Sequence, residues 1–301
     1  MNKRIIKECD ERDDDISVLT SLLKNYSLAY DKRSRIEQEI RNISAGLAAE
    51  KRAAYLLGQF VESGSTAYLI NDLRLDVDGH VAQIDHVTIN RYGIVRLFET
   101  KSFSTGIKIT PDGAFLRWDG FAKRYIEIPS PLQQSKRHET ALKKALKNIG
   151  YKVTDISHYV VVDYKARLIK PRRGFDNVCR PDAVESAICK GADNIEGVDL
   201  FFKAASMLMK KIKDEDCLVL AQNLASLHKP ITFDYKAKFG LSEDDGQTLG
   251  NEGLVEHSKL TLANLAKSLN KSTSELNAML VGKGYMEWRG RYLYLTAKGI
   301  C

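Results

Sequence analysis

The sequence contains no Cys-x-x-Cys pair, and its five cysteines, Cys9, Cys179, Cys189, Cys217 and Cys301, are odd in number and scattered. This spacing excludes a disulfide framework and a cysteine-based zinc cluster, so they read as reduced thiols. Also missing is any apolar run approaching the roughly 18 residues of a membrane span; Leu200–Met209 is interrupted by Lys203. No positive-then-apolar leader opens the chain, so no secretory signal is predicted. The expectation is a soluble, cytoplasmic protein with no membrane partner.

What is present is size and uneven charge. With 301 residues, 44% of them hydrophobic, the chain can build a sizeable core and two or more domains. The net charge is +7, yet residues 1–47 balance, with nine Lys/Arg against nine Asp/Glu. Residues 120–173 hold thirteen Lys/Arg against four Asp/Glu, a cationic surplus suited to a polyanion. The alternative is that Lys143, Lys144 and Lys147 only solvate one face of a helix.

The densest chemistry lies in Val81–Lys101. Val, Ile, Thr and Phe dominate Val81–Ile89 and Ile94–Thr100, and the connection Arg91-Tyr92-Gly93 closes on glycine, which predicts a β-hairpin. If the loop centres on Tyr92, paired positions sum to 184, so Asp85 lies opposite Glu99 and Lys101 shares their face. Opposed carboxylates in apolar surroundings repel, and a cation between them removes the conflict. Oxygen donors select a hard ion, Mg²⁺ or Mn²⁺, beside which a lysine can hold a phosphate or the attacking water. In isolation, Glu99-x-Lys101 would read as a surface ion pair; Asp85 in register sets it apart.

Gln83-Ile84-Asp85-His86-Val87 with Phe98-Glu99-Thr100-Lys101 resembles the nuclease-related domain (NERD) family of the PD-(D/E)XK nuclease superfamily. Gly46-Leu47-Ala48-Ala49-Glu50 resembles the family's opening helix, and Pro131–His138 its later Pro, Gln and His motif. Ala49 stands where glycine often precedes the acid, and Ser130 where asparagine usually precedes the proline. The similarity covers roughly residues 46–165 and implies a restriction-endonuclease-like core with metal-dependent cleavage of nucleic acid. On that reading Asp85, Glu99 and the main-chain carbonyl of Thr100 hold the metal, Glu50 assists, Lys101 acts on the phosphate or water, and Gln134 supports substrate or Lys101.

Around this centre the chain reads as a sequence of elements. Ile16–Glu39 is an amphipathic helical arm that could pack on the core or pair with a second subunit, and a second helix, Ala45–Val61, carries Glu50. A strand falls at Thr66–Asn71. Gly106–Trp118 reads as two short strands, turning at Pro111-Asp112-Gly113, that extend the sheet. Gln133–Asn148 is a helix with Gln134 and His138 on one face, and Ile156–Val162 a buried strand. His86 and His138 read as structural histidines. Lys170–Gly174 is a basic loop, Val198–Lys213 an amphipathic helix, and Leu224–Gly253 a linker.

The last fifty residues combine a helix at Leu262–Leu269, a capping box Ser272-Thr273-Ser274-Glu275, and a hairpin of Tyr285–Trp288 and Tyr292–Thr296 around Arg289-Gly290-Arg291. They resemble a winged helix-turn-helix and hold seven Lys/Arg against three Asp/Glu over 256–301.

The sequence therefore predicts an α/β protein: a helical arm (1–45), a nuclease-like domain with a mixed sheet flanked by helices (46–223), a linker (224–255) and a winged helix (256–301). The expected function is Mg²⁺- or Mn²⁺-dependent endonuclease action on nucleic acid, DNA in the first instance. Lys136, Arg137, Arg172, Arg173, Arg289 and Arg291 are the expected nucleic-acid contacts. The alternatives are a non-catalytic nucleic-acid-binding regulator on a nuclease scaffold, against which the intact Asp85, Glu99 and Lys101 speak, and a protein-interaction scaffold, which would show no salt-sensitive DNA binding.

Overall fold

The computed structural model describes residues 3–26, 28–193, 197–241, 262, 265–266, 269, 271–289 and 292–296. The chain divides into two units, Met1–Thr248 and Leu249–Cys301. In the first, a short strand β1 (Ile5–Lys7) and two helices, α1 (Asp13–Asn25) and α2 (Tyr30–Glu62), lead into the long strands β2 (Ala67–Val77), β3 (His80–Asn90) and β4 (Ile94–Lys101). Short strands β5 (Ile107–Ile109), β6 (Phe115–Asp119) and β7 (Arg124–Ile128) precede α3 (Pro131–Asn148) and β8 (Asp155–Val162). Then come β9 (Leu168–Ile169), β10 (Val178–Cys179), α4 (Val184–Asp193), α5 (Gly197–Lys210), α6 (Asp214–Ser226) and α7 (Tyr235–Phe239).

The main sheet has the order β1-β2-β3-β4-β8-β10. Its centre is an antiparallel meander of β2, β3 and β4, to which β8 adds parallel to β4. The sheet is mixed because the meander turns through tight loops, while β8 returns through the long crossover that contains α3. The β3–β4 register matches the sum rule: His86 pairs with Phe98, Val87 with Leu97, Thr88 with Arg96 and Ile89 with Val95. Gly93 makes that turn possible, with φ +80° and the place of a Cβ only 2.5 Å from the Lys152 carbonyl oxygen.

Helices cover both faces of this sheet, which is why its strands read as nearly continuous apolar runs. On one side Leu142 and Leu146 of α3 and Ala221 and Leu224 of α6 pack on Ile70, Val87 and Leu97. On the other, Leu57 and Val61 of α2 and Ile188 of α4 pack on Leu69, Phe98 and Val161. Each fully buried leucine or valine in these layers stabilises the fold by about 1.5–3 kcal/mol in water-transfer terms.

The structure corrects four expectations. The arm is not one helix over Ile16–Glu39: the chain breaks at Tyr26, which is extended, and α1 folds back on α2. Only this reversal buries Leu19 and Leu22 against Ile36 and Ile43. The helix carrying Glu50 consequently starts at Tyr30, within the expected arm. The strands after Lys101 do not extend the main sheet but form a second one, β7-β6-β5-β9, which includes the unexpected strand β7. Its inner residues Ile107, Ile109 and Phe115 need cover and find it on Val160, Val162 and Val178. Finally, 224–241 is not linker: Leu224 belongs to the main core, and Tyr235 and Phe239 of α7 close over the apolar side of the arm.

In the second unit the described residues form a helix, α8 (Thr273–Gly282), and a hairpin of β11 (Met286–Arg289) and β12 (Tyr292–Leu295). The capping box is present, with Ser272 and Glu275 satisfying each other's backbone N–H groups. Arg291 and most of the expected helix Leu262–Leu269 lie outside the described residues, as do residues 242–255 of the expected linker.

Candidate active site

The β3–β4 ladder stops at His86–Phe98, and just beyond it the two strands part. There the Thr100 backbone N–H donates to Asp85 Oδ2 at 2.7 Å, so Asp85 is fixed against β4 by its side chain. Thr100 is itself placed by a buried chain: its hydroxyl meets His86 Nε2 at 3.1 Å, and His86 Nδ1 meets Asn71 Oδ1 at 2.8 Å. Burial lowers the His86 pKa to about 3, so the ring is neutral and acts as a spacer between β2, β3 and β4.

Glu99 is almost wholly buried, at 3% exposure. Lys101, two residues on and on the same face, donates through Nζ to Glu99 Oε1 at 2.6 Å and to Gln134 Oε1 at 3.2 Å. Gln134 comes from the first turns of α3, whose N terminus is fixed by Pro131 and by the Ser130 side chain accepting from the Gln133 N–H. One turn later His138 Nδ1 lies 3.9 Å from Glu99 Oε2, too far for a hydrogen bond, and this nitrogen is buried without a partner. Burial, Arg137 and Lys101 all lower the His138 pKa, so the two residues do not form an ion pair near neutral pH.

Three carboxyls here are pushed upward. Asp85 is raised well above its ordinary range, first by burial of its charge and then by Glu99 and Glu50; Lys101 and the Thr100 N–H oppose this only in part. Glu99 is raised by burial against the pull of Lys101 and Arg137. Glu50, which approaches from α2 on the other side of the sheet, is raised by burial and by Asp72, with Glu99 adding to it. Cys9 beside them is driven to about 12 by burial, Glu50 and Asp72. The site thus holds more negative charge than Lys101 neutralises, and its donors are oxygens, which fits a hard divalent cation. Among the described residues there is no group of three or more His, Cys, Asp or Glu set to enclose an ion, so a bound metal would complete its shell with carbonyl oxygen and water.

The structure brings together Asp85, Glu99, Lys101, Gln134, Glu50 and Thr100. Arg137 stands close enough to lower the Glu99 pKa, but Lys136 points elsewhere. It borders a separate concavity of about 850 Å³ between α3 and β8, lined also by Arg96, His158 and Phe175. None of the converging acids lines it. Arg172 and Arg173 are exposed in the loop after β9. The backbone of Arg289 ends β11, and Arg291 is outside the described residues.

Sequence reading missed Asp72, which accepts from Gln83 Nε2 at 3.1 Å and sits at φ +46° in β2. The polar pair Asn71-Asp72 interrupting the apolar run Ala67–Leu75 was its signal. It missed the Asn71–His86–Thr100 chain for the same reason: pairings across three strands do not show in one.

No curated protein and no solved structure matches the chain significantly. Residues 45–162, from the middle of α2 to the end of β8, match the family model of the nuclease-related domain, and every converging acid, Lys101 and Gln134 fall inside that span. Over residues 45–162, then, the chain is similar to the nuclease-related domain family, and the site described above lies within that similarity.

Proposed function

We propose that this protein is a metal-dependent endonuclease that hydrolyses phosphodiester bonds of nucleic acid, with DNA as substrate. The observation that carries the reading is the convergence of Asp85, Glu99 and Lys101 where β3 and β4 part, with the carboxyls raised by burial and mutual repulsion. Asp85, Glu99 and the Thr100 carbonyl would hold Mg²⁺ or Mn²⁺, which supplies Lewis acidity and a water of lowered pKa.

The chain's own residues then divide the remaining work. Lys101 places its ammonium beside the reacting phosphate, where it stabilises developing negative charge, and Gln134 holds that amine in line. The Thr100 N–H and the His86 chain fix the Asp85 carboxylate, so it need not reorganise when charge arrives. Glu50 adds a third carboxylate from α2. Arg137 and, in the second unit, Arg289 and Arg291 supply phosphate contacts, the second unit acting as a winged-helix aid to binding.

The test is incubation of the purified protein with plasmid and with single-stranded DNA in Mg²⁺, Mn²⁺ or EDTA. Cleavage should appear only with metal and should fall at least a hundredfold in Lys101→Ala, with DNA affinity within a few-fold of wild type. Salt-sensitive DNA binding with no cleavage in either metal would replace this reading with a non-catalytic binder on the same scaffold.

A further inference from the structure

The catalytic reading leaves unused a feature of the second sheet. Phe121 stands 100% exposed at the apex of the β6–β7 connection. Single exposed apolar residues are ordinary, but this one is presented by a built apex. The Asp119 carboxylate accepts from the backbone N–H groups of Phe121 (2.8 Å) and Ala122 (2.9 Å). Directly below, Trp118 and Tyr125 pair across the strands with their rings edge to face at 5.2 Å, which stiffens the neck. Lys123 closes the loop at φ +50°, a conformation glycine adopts more easily, so a cationic side chain stands there against backbone preference.

Charge and placement favour one occupant. Arg117, Lys123 and Arg124 surround the apex, while Asp119 is occupied by the two N–H groups of the turn. The sheet rests on Val160 and Val162, which pair with Glu99 and Lys101 and so share their face of the main sheet. Its first strand follows Lys101 after a short connection, and β7 runs directly into α3, which carries Gln134. The hairpin thus follows Lys101 through β5 and runs on into α3 through β7, and its apex stands roughly 15–20 Å from the Phe115–Ile128 pair at its base.

We propose that the β6–β7 hairpin is a nucleic-acid finger: Phe121 stacks on the bases of the substrate strand while Lys123 and Arg124 hold the flanking phosphates. An aromatic ring set between cations matches stacked bases between phosphates, and such stacking is tolerant of sequence. The inference rests on the nuclease reading and adds to it the element that grips substrate away from the reacting bond.

The test uses the full chain, EDTA to prevent cleavage, and fluorescein-labelled mixed-sequence oligonucleotides, single-stranded and duplex, read by anisotropy. Phe121→Ala should weaken binding about tenfold without changing its salt dependence. Lys123→Gly should melt at the same or a higher temperature, because it relieves the left-handed backbone, yet lower affinity and reduce the slope of log affinity against log salt by about one. A 2-aminopurine base in the strand should change fluorescence on binding to wild type but not to Phe121→Ala. If wild type binds and Phe121→Ala binds equally well, the finger is overturned and the nuclease reading stands. If wild type binds neither oligonucleotide, both fall. If Phe121→Ala loses affinity for anionic phosphatidylserine vesicles but not for oligonucleotides, the apex contacts membrane and the proposal is wrong.

Discussion

Asp85 is a residue whose charge the fold tolerates poorly. A carboxyl with a raised pKa in the folded state binds a proton at pH values where the unfolded chain has already lost it. It therefore costs stability above its folded pKa, and the cost vanishes as pH falls toward the ordinary carboxylate value near 4. Asp85→Asn keeps an oxygen to accept from the Thr100 N–H and removes the charge. In EDTA at pH 8 the variant should be more stable than wild type by about 1 kcal/mol or more, since each pKa unit is worth about 1.4 kcal/mol. The two melting curves should converge toward pH 4. With Mn²⁺ at a hundredfold excess over its dissociation constant, wild type should gain about 2.7 kcal/mol and the variant little. A variant that is less stable in EDTA at pH 8, or one that keeps the Mn²⁺ shift, would make Asp85 a structural residue.

At the level of elements, the register of β3 and β4 was legible because the side-chain period of a strand and the position of a loop leave one arithmetic answer, and Gly93 marked the loop. The capping box at Ser272 was legible for the same local reason. What could not be read were features decided by distant partners. The chain break at Tyr26 follows from where Leu19 and Leu22 find cover, the second sheet from the demand of Phe115 for cover, and the ordering of 235–239 from the apolar side of the arm. Nor did any pattern announce that Arg52 would grip Asp163. Its guanidinium spans both carboxylate oxygens at 3.0 and 2.9 Å and ties α2, two residues past Glu50, to the end of β8. Asp163 is 1% exposed, and Arg52 pulls its pKa below the usual range. Arg52→Ala should cost about 2–4 kcal/mol at neutral pH, the lower part of the range because Arg52 is itself 41% exposed. A lowered carboxylate pKa contributes stability above its unfolded value and loses it as pH falls through the folded value, so the deficit should close below about pH 4. A deficit constant from pH 3 to 8 in thermal melts would show that the arginine acts by packing alone.

For the whole molecule, the division at Thr248/Leu249 allows the two units to be separated experimentally. Deleting 249–301 should leave the rate of the chemical step unchanged, because every converging acid, Lys101 and Gln134 lie in the first unit. It should weaken DNA binding and flatten its salt dependence, since the cations of 256–301 would no longer displace counterions. An identical salt slope in the shortened protein, measured by anisotropy titration, would assign the second unit to protein contacts.

Helix α2 spans 33 residues, about 50 Å, without interruption. The family match begins at residue 45, near its midpoint, so the boundary of similarity does not coincide with a boundary of folding. A version of the protein trimmed to start at residue 45 would lose β1, which pairs with Leu69 and Ile70, and would expose Tyr235 and Phe239 by removing Leu19, Leu22 and Ile36. It should be recovered largely as aggregate, or melt far below the intact chain. The half of the helix outside the match packs through Ile36 and Ile43 with Leu19, Leu22, Tyr235 and Phe239, and it is continuous with the half inside the match that carries Glu50: here inheritance and autonomy part company within a single element.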